Sequence, residues 1–168
     1  MNRYYFQVGL RFFLFLQLTS VLLTSCSGQQ TKTEQKFPPW YPETNQHGDT
    51  VYAVYENKLP CFDEGCTKLK FALAIYQNGK TKLPSTYMMA RVYVAKDENG
   101  RITNTGNISI SYSTISEATI TVYNLTTGAP DDFRHFWKIN DSLIFILDNN
   151  LQPRVGDASY GYVLNRIR

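Results

Sequence analysis

The amino-acid sequence predicts an all-β fold, a small antiparallel up-and-down β-barrel of about eight strands. Short segments alternate large apolar side chains with small or polar ones, so one face of each strand is expected in the core and the other in water. Turn-forming residues separate these segments at intervals of about 10 to 15 positions, and no segment has a convincing helical period. A barrel is favoured over a sandwich because tight turns join neighbouring strands without a long crossover.

Eight segments carry the strand pattern. They are residues 50–55, 69–76, 86–95, 107–112, 118–123, 133–139, 142–147 and 160–166. The first is rich in β-branched and aromatic residues, and the second has one row of large side chains. Asn78-Gly79 predicts a tight hairpin after the second, and residues 96–101 predict another turn after the third. The fourth and fifth segments alternate cleanly, and the seventh is nearly all apolar. A Gly-Ala-Pro-Asp-Asp turn precedes the sixth segment, and Asp148-Asn149-Asn150 forms a turn before the last.

The first 25 residues have the three parts of a bacterial export signal. Arg3 and Arg11 supply positive charge, residues 12–23 form an apolar run, and residues 22–26 (Leu-Leu-Thr-Ser-Cys) resemble the cleavage box of lipoproteins. A membrane-spanning helix needs about 20 apolar residues, so this run is too short to be a confident span. We therefore expect residues 1–25 to be removed and Cys26 to become a lipidated N-terminus, although an ordinary secretory signal is the alternative.

Lipidation at Cys26 implies stable attachment to a membrane, because several acyl chains such as palmitate anchor a protein where one does not. Inner-membrane retention usually requires Asp after the cysteine, and here Ser27 follows it. We expect an outer-membrane lipoprotein on either the periplasmic or the surface face. Residues 26–46 are then a polar, flexible tether, within which the aromatic and proline segment 37–42 packs on the domain rim or acts as a docking peptide. Residues 47–168 form one barrel domain.

Charge and composition exclude some function classes. The chain has a formal charge of +3, and removal of two signal arginines leaves +1, which argues against a nucleic-acid partner because such proteins need a clustered basic face. The acids Asp63, Glu64, Asp131 and Asp132 fall in turns, where solvated charges are normal. No glycosidase pair and no Ser-His-Asp set is indicated, so we expect no enzymatic activity.

Two cysteines remain after Cys26, namely Cys61 and Cys66, in a loop with Pro60 and Gly65. In an exported protein the ordinary interpretation is a structural disulfide. The alternatives are a soft-metal site for Cu(I) or Zn(II) and a redox-active pair, although the four intervening residues and the β setting disfavour thioredoxin-like chemistry. A metal site needs further ligands. The available candidates, none with a diagnostic spacing, are His47, Met88, Met89 and His135.

From this loop onward the chain resembles the N-terminal domain of NlpE, the envelope lipoproteins linked to copper resistance. The likeness rests on Leu59-Pro60-Cys61 after a strand ending in Tyr55, on turns at 76–79 and 96–100, on the strand 141–148 and on the closing Tyr162-Val163-Leu164. It covers about residues 51–166, and the Leu-Pro-Cys loop is its specific element. The resemblance implies a lipocalin-like barrel, a role in envelope stress or copper tolerance, and Cys61 and Cys66 as the site.

The chain departs from the family pattern in three respects. The two-residue spacing between the cysteines is expanded to four, Ile108 stands where the family has a tryptophan, and we expect the second domain of the family to be missing. The altered spacing changes how the two sulfur atoms could be arranged around a metal ion. A signalling role that needs the second domain does not carry over to this chain.

Three functions remain open on the sequence. The first is a non-enzymatic, NlpE-like outer-membrane lipoprotein in stress sensing or copper tolerance, with a possible envelope protein partner. The second is a carrier of a small apolar ligand in a hollow barrel. The residues expected to line that interior are Phe71, Leu73, Tyr93, Ile110, Ile120 and Phe145. The third is an interaction module with an exposed aromatic patch near residues 37–41.

Overall fold

The computed structural model describes residues 40–61, 65–95 and 100–168, which form one closed, eight-stranded antiparallel barrel. The strands are β1 (Thr50–Leu59), β2 (Cys66–Gln77), β3 (Pro84–Ala95), β4 (Arg101–Ile115), β5 (Ala118–Leu125), β6 (His135–Lys138), β7 (Leu143–Leu147) and β8 (Val163–Arg166). Each strand pairs with its neighbours in the chain, and β8 pairs back onto β1. The predicted small up-and-down barrel is therefore confirmed.

Some predictions lie outside the described residues: the signal sequence 1–25, Cys26 and its lipid, and the tether up to residue 39. Residues 62–64 and 96–99, with Asp63 and Glu64, also lie outside them. Within the described ranges, no helix has the length and apolar character needed to cross a membrane.

The inside of the barrel is filled by one row of side chains from every strand. Tyr55, Leu73, Phe136, Ile146 and Leu164 are all buried in this main cluster, and none is more than 1% exposed. The reason is the period of two, because residues paired directly across neighbouring strands point to the same face. Of the two adjacent methionines, Met89 joins this cluster while Met88 points outward, as the alternation predicts.

The outer surface is more covered than a simple alternation predicts. Tyr41 lies over Val54, Ala74 and Tyr76 on the outside of β1 and β2, and Trp40 donates a hydrogen bond of 2.8 Å from Nε1 to Glu56. The packed unit thus begins before residue 47, because these two aromatic side chains gain burial on the barrel wall. A second outer cluster joins Ile120, Val122 and Leu147.

Strand β4 changes partner halfway along. Its first half, up to Asn107, pairs with β3, and its second half, from Ile108, pairs with β5. The β4–β5 hairpin therefore extends past the end of β3. At its inward positions Ile110 is 38% exposed and Tyr112 is 75% exposed.

The turns follow different chemistry from the one predicted. Asn78-Gly79 does not form a two-residue hairpin, since β2 ends at Gln77 and β3 begins at Pro84. Instead the Asn78 carboxamide accepts bonds from the amides of Lys80 and Thr81, which widens the loop. The two-residue hairpin is at Ser116-Glu117, both with positive φ, between the paired Ile115 and Ala118.

Candidate functional site

Strands β1, β3, β5 and β7 all finish at one end of the barrel, which we call the cysteine end. There Cys61 and Cys66 form a disulfide with Cα atoms 5.8 Å apart. Gly65, with φ of +84°, turns the chain so that Cys66 starts β2 opposite Ala95. Cys61 packs against the main cluster. The bridge thus joins the start of the loop after β1 to the first residue of β2, as the interpretation of a structural disulfide predicts.

The candidate metal ligands do not assemble around these cysteines. Among the described residues, no group of three or more His, Cys, Asp or Glu side chains is placed to hold a metal ion. Met89 is buried in the main cluster. His47 and Met88 both line an outer groove of about 280 Å³ beside β3 and β4. His135 lies on the outside of β6 and contacts Asn124.

Arg91 is a site residue that the sequence analysis did not single out. It is only 9% exposed and follows Tyr87 and Met89 in the inward row of β3, with Phe71 opposite it on β2. Its Nη2 donates to Oδ1 of Asn104 at 2.9 Å and its Nη1 to the Tyr93 hydroxyl at 3.2 Å. The sequence feature that could have identified Arg91 is a charged residue at an inward position of an alternating strand.

Phe133 belongs to the main cluster and is buried near Arg91 at the cysteine end. It belongs to a short 3-10 helix (Asp131–Phe133), is 1% exposed, and lies 4.9 Å from the ring of Phe71. The guanidinium carbon of Arg91 lies 5.5 Å from the centre of its ring. The aromatic face therefore supports the cation by its ring quadrupole.

Residues 126–128 pass over the first half of β4 at this end. The Thr127 carbonyl accepts a bond of 2.6 Å from the Tyr87 hydroxyl, and the Thr127 hydroxyl accepts one of 2.9 Å from the Asn107 amide. Burial raises the pKa of Tyr87 to about 12, so its phenol stays protonated and keeps donating. Gly106 leaves the space that this crossing needs.

A row of polar side chains crosses the outside of β4, β5 and β6. His135 Nδ1 lies 2.8 Å from Asn124 Oδ1, and Asn124 Nδ2 donates to Ser111 Oγ at 2.8 Å. The amide separates the imidazole from the hydroxyl, so His135 does not contact Ser111 as a general base would. The row explains the histidine as a hydrogen-bonded structural residue.

The His135 row makes stability depend on pH. Burial first, and the positive charge of Arg134 second, lower the pKa of His135 from its ordinary value of 6.5. The unfolded chain therefore takes up the proton at a higher pH than the folded chain. The free energy of unfolding is then complete above pH 6.5, falls as the pH drops through 6.5 toward the lower folded pKa, and loses nothing more from this group below it.

We expect the urea midpoint of unfolding of His135→Gln to change less with pH than that of the wild type between about pH 5 and 7.5, where histidine titrates. Ser111→Ala is the control, because it removes one hydrogen bond of the row but no titrating group. Its midpoint should shift equally at every pH. An unchanged slope in His135→Gln would mean that another group causes the dependence.

The residues expected to line a hollow interior are placed unequally. Phe71 and Leu73 are in the main cluster, and Tyr93 packs against it. Phe145 lies in β7 between two inward isoleucines, so it belongs to the outward row, where it packs on the second outer cluster as well as on the main one. Ile110 is in the extended hairpin, so it is not enclosed. Ile120 is on the outer face with Val122, so it does not line the interior.

The residues expected to form an exposed aromatic patch are also placed differently. Trp40 is half-buried and Tyr41 is 8% exposed, both against the barrel wall. By contrast, the aromatic side chain of Tyr112 is 75% exposed, and it lies at the opposite end of the barrel from the cysteines.

Comparison with known proteins adds no relative. A scan of protein-family models found no match to the chain. Searches of curated proteins and of solved structures likewise found none.

Proposed function

We propose that the protein is a non-enzymatic, lipid-anchored outer-membrane protein whose cysteine pair responds to oxidants or copper in the cell envelope. The observation that carries the proposal is the Cys61–Cys66 bridge at one end of the barrel. Both cysteines are half-buried, so reagents reach them without unfolding of the core. Opening the bridge frees the loop after β1, which gives an envelope partner two forms of one surface to distinguish.

The lipid anchor follows from Cys26 and the apolar run before it. Attachment there places the barrel at the membrane surface through the segment before Trp40. Fractionation of cells tests this step directly. Cys26→Ser should move the protein from the membrane fraction to the soluble envelope fraction, and an unchanged distribution would contradict the anchor.

The disulfide form does not fit copper, because neither sulfur is a thiolate. A dithiol reductant of the envelope that gives two electrons and two protons to the bridge leaves Cys61 and Cys66 as two thiols and is itself oxidised to a disulfide. Two thiolates suit Cu(I), and no further His, Cys, Asp or Glu ligand accompanies them among the described residues. We therefore propose that the reduced cysteine pair binds copper transiently, and that copper is not a resident cofactor.

Titration of the full chain in non-ionic detergent with Cu(I) and Zn(II), reduced and oxidised, tests the proposal. We expect stoichiometric Cu(I) binding by the reduced protein only, with two thiols counted, and loss of binding in Cys61→Ser. His135→Gln is the control that should bind as the wild type does. No binding, together with a bridge that resists reduction, would leave the pair as a structural staple.

Loss of the bridge should cost modest stability. The loop it closes is short, so the chain-entropy model gives about 2 kcal/mol. We expect the Cys61→Ser, Cys66→Ser double variant to lose that amount of unfolding free energy in urea. Reduced wild type is its matched control and should unfold at the same midpoint. A loss several times larger would show that the loop also carries core packing.

A further inference from the structure

Arg91 carries a positive charge into the cysteine end and has no acidic partner among residues 40–61, 65–95 and 100–168. The ion pairs of the described residues join Arg134 to Asp131, Lys138 to Asp141, Arg154 to Asp132 and Arg168 to Glu43. Arg91 takes part in none of them. Burying an ionised group without a counter-charge is costly, so a nine-tenths buried guanidinium implies an anion beside it.

The guanidinium also has unused donors. It has five N–H groups, of which one bonds Tyr93 and one bonds Asn104. Its Nε is buried with no hydrogen-bond partner. An unmet buried donor on a fixed side chain is the feature that an oxygen anion satisfies, and a carboxylate accepts from Nε–H and Nη–H together.

The side chain is held in place for such a ligand. The ring of Phe133 lies 5.5 Å and that of Tyr93 5.9 Å from the guanidinium carbon. Asn104 is itself fixed, since its Nδ2 donates to the Gly128 carbonyl at 2.9 Å. A pre-positioned fork loses little entropy when it binds.

The neighbourhood selects the class of anion. Arg134 and Arg154, the other arginines of the loop after β5 and of the loop after β7, are paired with Asp131 and Asp132. Of these three arginines, only Arg91 lacks an acidic partner among the described residues, which leaves its single positive charge unbalanced. Ile102, paired with Arg91 across β3 and β4, is 45% exposed and offers apolar surface beside the guanidinium.

We propose that Arg91, with Asn104 and Tyr93, is a binding site for a monocarboxylate that carries an apolar body. The carboxylate meets the free guanidinium donors, and the body lies on Ile102 and the Tyr93 ring. A dianion such as phosphate leaves one charge unbalanced there. The site is independent of the cysteine chemistry, because none of its three polar side chains is a cysteine.

The test is a titration of the full chain in non-ionic detergent, with benzoate, benzamide, acetate and inorganic phosphate as probes. The readouts are thermal midpoint and the side-chain amide signal of Asn104. We expect saturable effects of benzoate at both, weaker effects of acetate, and none of benzamide or phosphate. Equal effects of benzoate and benzamide, or no effect of benzoate, would overturn the proposal.

Variants separate the site from a general charge effect. Arg91→Gln should weaken benzoate binding by at least about tenfold, because it removes charge-assisted hydrogen bonds. Arg101→Gln, an exposed arginine of β4, is the matched control and should bind as the wild type does. Should Arg91→Gln fail to fold, Tyr93→Phe removes only a hydroxyl and should weaken binding measurably. Full benzoate binding in Arg91→Gln, or in Tyr93→Phe where that variant stands in for it, contradicts the site.

Discussion

Phe136→Ala should remove about 3–5 kcal/mol from the free energy of unfolding, the largest single-residue loss we expect in this barrel. Phe136 is fully buried in the main cluster, lies between Tyr123 and Ile146 on the neighbouring strands, and has its ring 6.1 Å from that of Phe71. Truncation leaves a cavity where three strands meet, and paired backbones on both sides prevent collapse into it. Urea unfolding followed by far-UV circular dichroism measures the loss.

Tyr112→Ala is the matched control for this substitution. Tyr112 is also an aromatic residue in a strand, but it is 75% exposed on the β4–β5 hairpin. Its loss should cost no more than about 0.5 kcal/mol, as for other exposed positions. Equal losses in the two variants would mean that aromatic strand propensity, and not burial at the centre of the barrel, sets stability.

The fold could be predicted because alternation acts locally. A strand such as β2 shows its inward row, Leu69, Phe71, Leu73 and Ile75, in its own residues, and all four are buried. Turn residues between such strands require antiparallel neighbours, and eight of them close without a crossover. The barrel therefore needs little information beyond the period and the spacing.

Which face points inward is harder to predict where both faces are apolar. In β5, Ile120 and Val122 alternate with Tyr123 and Leu125, and the period is the same whichever pair is chosen. The structure places the tyrosine row inside, and the outer row packs with Leu147 of β7. A contact between distant strands decided this, so the expectation that Ile120 lines the interior was wrong.

The prediction that Ile110 lines an enclosed interior was wrong for another reason. It does occupy the inward row of β4, opposite Tyr123. Its exposure arises because the pairing between β3 and β4 ends at Asn107. The register of this pairing depends on both strands, so it cannot be predicted from the sequence of one of them.

The candidate site was predicted in part. Cys61 and Cys66 could be named from the sequence, whereas the isolation of Arg91 from described acids depends on ion pairs between separate loops.

Gly106→Ala should cost about 3 kcal/mol, although it adds only one methyl group. A Cβ there would lie 2.0 Å from the carbonyl oxygen of Thr127, and both groups belong to backbone, so no side-chain rotation relieves the contact. Residues 126–128 would have to move away from β4. They would lose the bonds from the Tyr87 hydroxyl, the Asn107 amide and the Asn104 carboxamide, each worth about 1 kcal/mol.

Gly79→Ala is the control for this substitution, since a Cβ at Gly79 meets nothing within 4 Å. It should be neutral within about 0.5 kcal/mol. Hydrogen exchange adds a second measurement, because Gly106→Ala should deprotect the Thr126 amide, which donates 2.9 Å to the Asn107 carbonyl, while amides of β2 stay protected. Equal deprotection throughout the barrel would show global unfolding instead. Since Asn104 also holds Arg91, a displaced crossing should weaken benzoate binding, which links the packing of β4 to the proposed carboxylate site.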